Sequence, residues 1–126
     1  IKLPYYSKET NPQNFPDWFN YAPTYGDGGL TYTSVTGTNE FRIDNRTVTV
    51  VFRLSGTIGG TSRSYLGITP PVASTVSSEI GCLINDGTPE IGYLAKATSL
   101  IYFYKLSGNY VAGTGKLVRG VSIYRI

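Results

Sequence analysis

The chain has 126 residues, a net charge of +3, one Cys, no His and no Met. A single domain's worth of sequence without His lacks the commonest general base and transition-metal ligand near neutral pH. A lone Cys cannot form an intrachain disulfide, and no apolar run approaches the roughly eighteen residues of a membrane-spanning helix.

The first segment, 1–29, holds four of the seven prolines, Pro4, Pro12, Pro16 and Pro23, and the one Trp. Proline fixes φ and removes a ladder donor, which predicts an irregular lead-in rather than sheet. Phe15, Trp18, Phe19 and Tyr21 are expected to pack it onto the following domain, 30–126. Tyr25-Gly26-Asp27-Gly28-Gly29 resembles a calcium turn. It offers one carboxylate where calcium takes about six to eight oxygens, so no metal is expected.

From Leu30 the pattern changes to a period of two. Strands are predicted at Leu30–Val35, Asn39–Ile43, Thr47–Ser55, Ser64–Thr69, Ser77–Asn85, Glu90–Leu94, Leu100–Lys105 and Leu117–Arg125. The separators are Thr36-Gly37-Thr38, Asp44-Asn45-Arg46, Gly59-Gly60, Pro70-Pro71, Asp86-Gly87-Thr88-Pro89 and Ser107-Gly108-Asn109, with a Gly-rich link from Gly113 to Gly115. Each contains a residue that tolerates a turn or cannot extend a ladder. The clearest stretch is Thr47–Ser55, where Val48, Val50, Phe52 and Leu54 share one face. Short strands without helical crossovers predict an all-β, antiparallel, jelly-roll-like sandwich of about eight strands.

Two strands break the alternation. Leu100-Ile101-Tyr102-Phe103-Tyr104 and Ile80-Gly81-Cys82-Leu83-Ile84 are apolar or aromatic on both faces. Burial on both sides requires a covering surface, either the N-terminal segment or a sister subunit, and self-association is the expectation. Cys82 reads as a small buried residue of such a strand.

Catalytic chemistry is hard to assemble. Among the eight carboxylates, Asp86 and Glu90 flank one hairpin loop, where solvation and turn capping account for them. No His activates a nucleophile, and no phosphate loop, dinucleotide fingerprint or zinc spacing is present. No enzyme activity and no cofactor are expected. Basic residues are scattered, which argues against a nucleic-acid partner. Asn45-Arg46-Thr47 is a formal glycosylation sequon, poorly placed in a tight hairpin.

Eleven tyrosines remain. Tyr joins flat apolar area to a hydrogen-bonding tip, so ligand surfaces favour it. Tyr32, Tyr93, Tyr102 and Tyr104 fit ordinary strand positions, whereas Trp18, Arg63, Tyr65, Asp86, Asn109 and Tyr110 lie in or beside loops and are the expected ligand contacts.

Ala22-Pro23-Thr24-Tyr25, the Gly28-Gly29 turn, Leu30-Thr31-Tyr32-Thr33-Ser34-Val35, Phe41-Arg42-Ile43, Thr47 through Thr57, Gly67-Ile68-Thr69-Pro70-Pro71-Val72-Ala73-Ser74 and Val121-Ser122-Ile123-Tyr124 form a succession. It resembles the C-terminal head domains of tailed-bacteriophage tail fibres and related virion proteins, from about Ala22 onward. The resemblance implies a homotrimeric, receptor-binding head at an exposed virion surface, recognising a host cell-surface glycan or protein, with no membrane insertion. The 1–21 segment departs from the pattern. A trimerisation or capsid-decoration module is the alternative, and a carbohydrate-binding module of a larger enzyme the third reading. The absence of Met makes the sequence read as a piece of a longer protein.

Overall fold

A computed structural model describes residues 18–26, 28–97 and 99–126. The expected packing of Phe15 lies outside them, as does Asp27 of the Gly-rich turn.

The described residues form eight strands and no helix: β1 Phe19–Asn20, β2 Leu30–Asp44, β3 Thr47–Gly60, β4 Tyr65–Ile68, β5 Ser78–Asn85, β6 Pro89–Lys96, β7 Ile101–Tyr104 and β8 Gly113–Arg125. All join one antiparallel sheet in the order β1-β2-β3-β8-β5-β6-β7-β4. The sheet curls. β3 and β7 stand four places apart, about 19 Å in a flat sheet at the usual strand spacing. Yet Phe52 of β3 and Phe103 of β7 meet edge to face, ring centroids 5.3 Å apart.

The lead-in draws the two edges together. β1 pairs with β2 at Phe19↔Phe41, and the Tyr21 amide donates to the Asn39 carbonyl at 3.1 Å. A few residues on, the same segment turns to β4. The Gly26 amide donates to the Gly67 carbonyl (2.7 Å) and the Thr69 amide to the Thr24 carbonyl (3.1 Å), around a Tyr25↔Ile68 bridge. One stretch of chain thereby serves both edges, leaving fewer unpaired strand groups to recruit a foreign strand.

The period of two in β3 translates directly into packing. Val48, Val50, Phe52 and Leu54 are all buried, joined by Ile68, Ile84, Leu94, Ile101 and Phe103 from the other strands. The β2–β3 hairpin turns on Asn45 (φ 49°) and Arg46 (φ 68°), the two left-handed residues of a type I′ turn. Arg46 is an unusual second residue, and its position is held by the end of β8. Its Nε donates to the Ile126 carbonyl at 2.8 Å, and the Ile126 amide donates back at 3.0 Å.

Two predicted strands are one. Leu30–Val35 and Asn39–Ile43 run together as β2, and Thr36-Gly37-Thr38 is not a turn. The discontinuity is a bulge between Thr33 and Thr36 around Ser34 (φ 52°), and Gly37 at φ 119° keeps the ladder going where a Cβ would overlap the Arg53 carbonyl. The Gly113–Gly115 link likewise belongs to a strand, the start of β8.

Charged residues sit inside at the ends of strands. Lys96, 1% exposed, closes β6. Its ammonium donates to the carbonyls of Ser74 and Val76 (3.0 Å to Val76) and stands 4.6 Å from the Tyr124 ring centroid. The Tyr124 hydroxyl donates to the Val72 carbonyl at 2.5 Å. The connection from β4 to β5 is therefore fastened from inside, and burial lowers the Lys96 pKa.

Candidate functional site

The outer face of β5, β6, β7 and β4 carries four half-buried tyrosines, Tyr65, Tyr93, Tyr102 and Tyr104. Alternation on β7 turns Ile101 and Phe103 inward and leaves Tyr102 and Tyr104 half-buried outside. The register then builds two rows across the sheet. One runs Glu79–Ala95–Tyr102–Gly67, the other Gly81–Tyr93–Tyr104–Tyr65. Tyr93 and Tyr104 stack at 4.6 Å with planes 8° apart. Tyr65 meets Tyr102 edge to face at 5.5 Å and lies 5.5 Å from Tyr104. Such contacts fix ring positions before any ligand arrives.

The first row is uneven. Ala95 stands between Glu79 and Tyr102, and the gap above it is a groove of about 380 Å³ lined by Ser77, Ser78, Glu79, Ala95, Lys96, Ala97, Tyr102 and Tyr104. Hydroxyls, one carboxylate and aromatic edges share it. Tyr104 feels the crowding: burial, then Tyr93, Tyr102, Tyr65 and Glu79, push its pKa up. Flat rings beside a carboxylate and hydroxyls can hold a ligand with an apolar C–H face and a polar rim, the two surfaces of a sugar ring.

The loop residues expected as ligand contacts divide. Arg63 and Tyr65 come together, the guanidinium 5.3 Å from the ring centroid and donating from Nη1 to the hydroxyl at 2.9 Å. The Tyr110 amide donates to the Arg63 carbonyl, and Asn109 is exposed beside it. Tyr110 itself is core: 4% exposed, with its hydroxyl donating to the Phe103 carbonyl at 2.9 Å. Asp86 is also buried. Its Oδ2 accepts from Lys105 Nζ at 2.6 Å and from the Val111 amide at 2.7 Å. Both are wall rather than surface, because an inward Lys105 at the end of β7 draws the carboxylate in. Asp86 and Lys105 do line a pocket of about 590 Å³, together with Glu90, Ser107, Val111 and Lys116. Trp18 sits apart, stacked under Arg42 of β2 at 5.2 Å.

Tyr93, Tyr102 and Tyr104, read from the sequence as ordinary strand residues, turn out to form the aromatic face. The available signal was the double-sided apolar character of 100–104. What the sequence lacks is the lateral order β6-β7-β4 that brings four tyrosines together.

A second exposed patch is aliphatic. Leu83 (39% exposed) and Ile91 (66%) face each other across β5 and β6, with Ile80 and Val121 in the same shallow groove and Ile123 (44%) further along β8. Cys82 also borders that groove but is only 6% exposed, and burial raises its thiol pKa to about 11. Among the described residues no group of three His, Cys, Asp or Glu is placed to hold a metal ion. No helix among them is long and apolar enough to cross a membrane. Compared with family models, curated proteins and solved structures, the chain matches none.

Proposed function

We propose that this chain is a non-enzymatic receptor-binding head that holds a host cell-surface glycan on its tyrosine face. The single observation behind the reading is the pre-stacked cluster of Tyr65, Tyr93, Tyr102 and Tyr104 beside the Ala95 groove. Sugar rings stack on such surfaces through their C–H faces, and rings already ordered lose little entropy on binding. The sequence resemblance to tail-fibre heads supplies the setting, an exposed virion surface. There the two halves of the curled sheet act as the layers of a jelly-roll-like sandwich.

The aliphatic patch supports the homotrimer. Leu83, Ile91 and Ile123 are large apolar side chains held in water by strands, and clustered exposure of this kind marks interfaces. Three copies add avidity to weak single contacts. The same patch favours the second reading, a trimerisation or capsid-decoration module.

The glycan reading is tested on an array of bacterial surface polysaccharides and by adsorption of the domain to host cells. Tyr102→Ala is expected to weaken glycan binding about tenfold, about 1.4 kcal/mol, with unchanged thermal stability. A blank array together with no adsorption overturns it. Light scattering tests the assembly. Wild type is expected as a trimer and the double variant Leu83→Glu/Ile91→Glu as a single chain, since buried unpaired charge is costly. A monomeric wild type removes the trimer. A trimer whose loss stops particle assembly, with adsorption unaffected, favours the structural module.

A further inference from the structure

We infer that the Ala95 groove selects an uncharged pyranose and turns away acidic sugars, an inference that rests on the glycan reading above. The register fixes the slot. Glu79 and Tyr102 flank Ala95 on adjacent strands, so their backbones are two strand spacings, about 9.6 Å, apart. The methyl of Ala95 leaves the space between them open, and at about 380 Å³ it suits one sugar ring rather than a long chain. Tyr102 offers a surface for ring C–H groups. Glu79 is opposite, and an ionised carboxylate only accepts hydrogen bonds. It therefore pairs with hydroxyl donors, two neighbouring ones at once, and with nothing anionic.

Among the described residues the charge of the groove is uncompensated. Glu79 is exposed, and its carboxylate has no hydrogen bond or ion pair among the described residues. Lys96, the one cation in the lining, keeps its ammonium on the inner side of the sheet, bound to the Ser74 and Val76 carbonyls. Arg63 stands at the far end of the tyrosine row, engaged with the ring and hydroxyl of Tyr65. A carboxylate, sulfate or phosphate entering the slot meets Glu79 with no free cation among the described lining residues to offset it. The upward push that Glu79 gives the Tyr104 hydroxyl is the same field acting on a protein group.

Calorimetric titration of the whole chain tests this, with the methyl glycosides of glucose, galactose and mannose as neutral probes and glucuronic and N-acetylneuraminic acids as acidic ones. At least one neutral glycoside is expected to bind at least tenfold more tightly than either acid, with affinity independent of salt. Glu79→Ala is expected to lose at least tenfold for that glycoside. Glu79→Gln, which keeps the shape, is expected to narrow the gap between neutral and acidic probes. Ala95→Phe is expected to fill the slot and abolish binding while the circular dichroism spectrum stays unchanged. Acids that bind as tightly as neutral sugars, or a Glu79→Ala chain with unaltered affinity, overturn the inference and leave the glycan reading standing. A wild type that binds none of the probes, nor any glycan of the array, removes both.

Discussion

Raising the pH from 10 to 12 is expected to unfold the chain cooperatively. Tyr32, Tyr110 and Tyr124 are 3%, 4% and 2% exposed. Burial is the main cause of their raised pKa values, with Tyr124 at about 12 and the other two higher still. Half-buried Tyr21 is raised in the same way. In the unfolded chain each phenol ionises near the ordinary value of about 10. A group with its folded pKa raised contributes stability that is complete below the unfolded pKa and lost as the pH climbs toward the folded one. Each of the three fully buried phenols contributes about 1.4 kcal/mol per pH unit, so together they remove about 4 kcal/mol per unit. Lys96 acts in the opposite sense, since its folded pKa is lowered and losing its proton favours the fold in the window below 10.5. One lysine does not offset three tyrosines, and above 10.5 its contribution no longer grows. Total stabilities run about 5–15 kcal/mol, and a small domain near the lower end of that range unfolds between pH 11 and 12. Tyrosinate absorbance and circular dichroism, followed together, are the check. Tyr32, Tyr110 and Tyr124 are expected to ionise only as the sheet signal is lost. Smooth titration of all eleven tyrosines with the sheet intact would show that the phenols are wet.

Asp86→Ala is expected to cost about 3–5 kcal/mol, the usual penalty for leaving one member of a buried pair alone. Asp86 and Lys105 side chains are 3% and 5% exposed and 2.6 Å apart. Without the carboxylate, Lys105 retains the Asn109 carbonyl at 3.2 Å and Glu90 at 3.8 Å, and the Val111 amide loses its acceptor. The double change Asp86→Ala/Lys105→Met is expected to cost less than the single one, because no charge is then stranded. Denaturant melts of the three chains decide it, and a single-change cost below about 1 kcal/mol would mean that water already reaches the pair. The pH sign follows from the same contacts. Burial alone would raise the Asp86 pKa, but the Lys105 hydrogen bond, the Val111 amide and the Lys105 charge outweigh it and hold the carboxyl below its usual range. Its contribution is complete above the unfolded value of about 4 and disappears as the pH falls through the lower folded one. Acid melts of Asp86→Ala are expected to lack that loss.

Local signals carried much of this architecture. Val48, Val50, Phe52 and Leu54 announce their face, and Asn45-Arg46 sits between two runs of β-formers. Gly37 misled because glycine marks turns more often than it marks a close crossing within a strand, and only the Arg53 carbonyl opposite reveals which applies. Asp86 resembled a solvated loop residue because its partner lies 19 positions away, at the end of another strand. The tyrosine face was written in single letters along β4, β6 and β7 yet depended on a lateral order and register that no local pattern encodes. Arg63 and Tyr65 were legible as a pair because a single residue separates them in the chain, and their side chains touch.

β8 has a consequence for the order of assembly. It lies between β3 and β5, pairing with β3 from Thr47↔Arg125 to Ile58↔Gly113 and with β5 over Cys82–Asn85. During synthesis, therefore, residues up to Tyr104 can form two half-sheets, β1-β2-β3 and β5-β6-β7-β4, linked by the lead-in's bonds to β4 but by no shared strand. The nascent chain would wait, half-made and prone to stray pairing, until the stretch that stitches the halves has emerged from the ribosome.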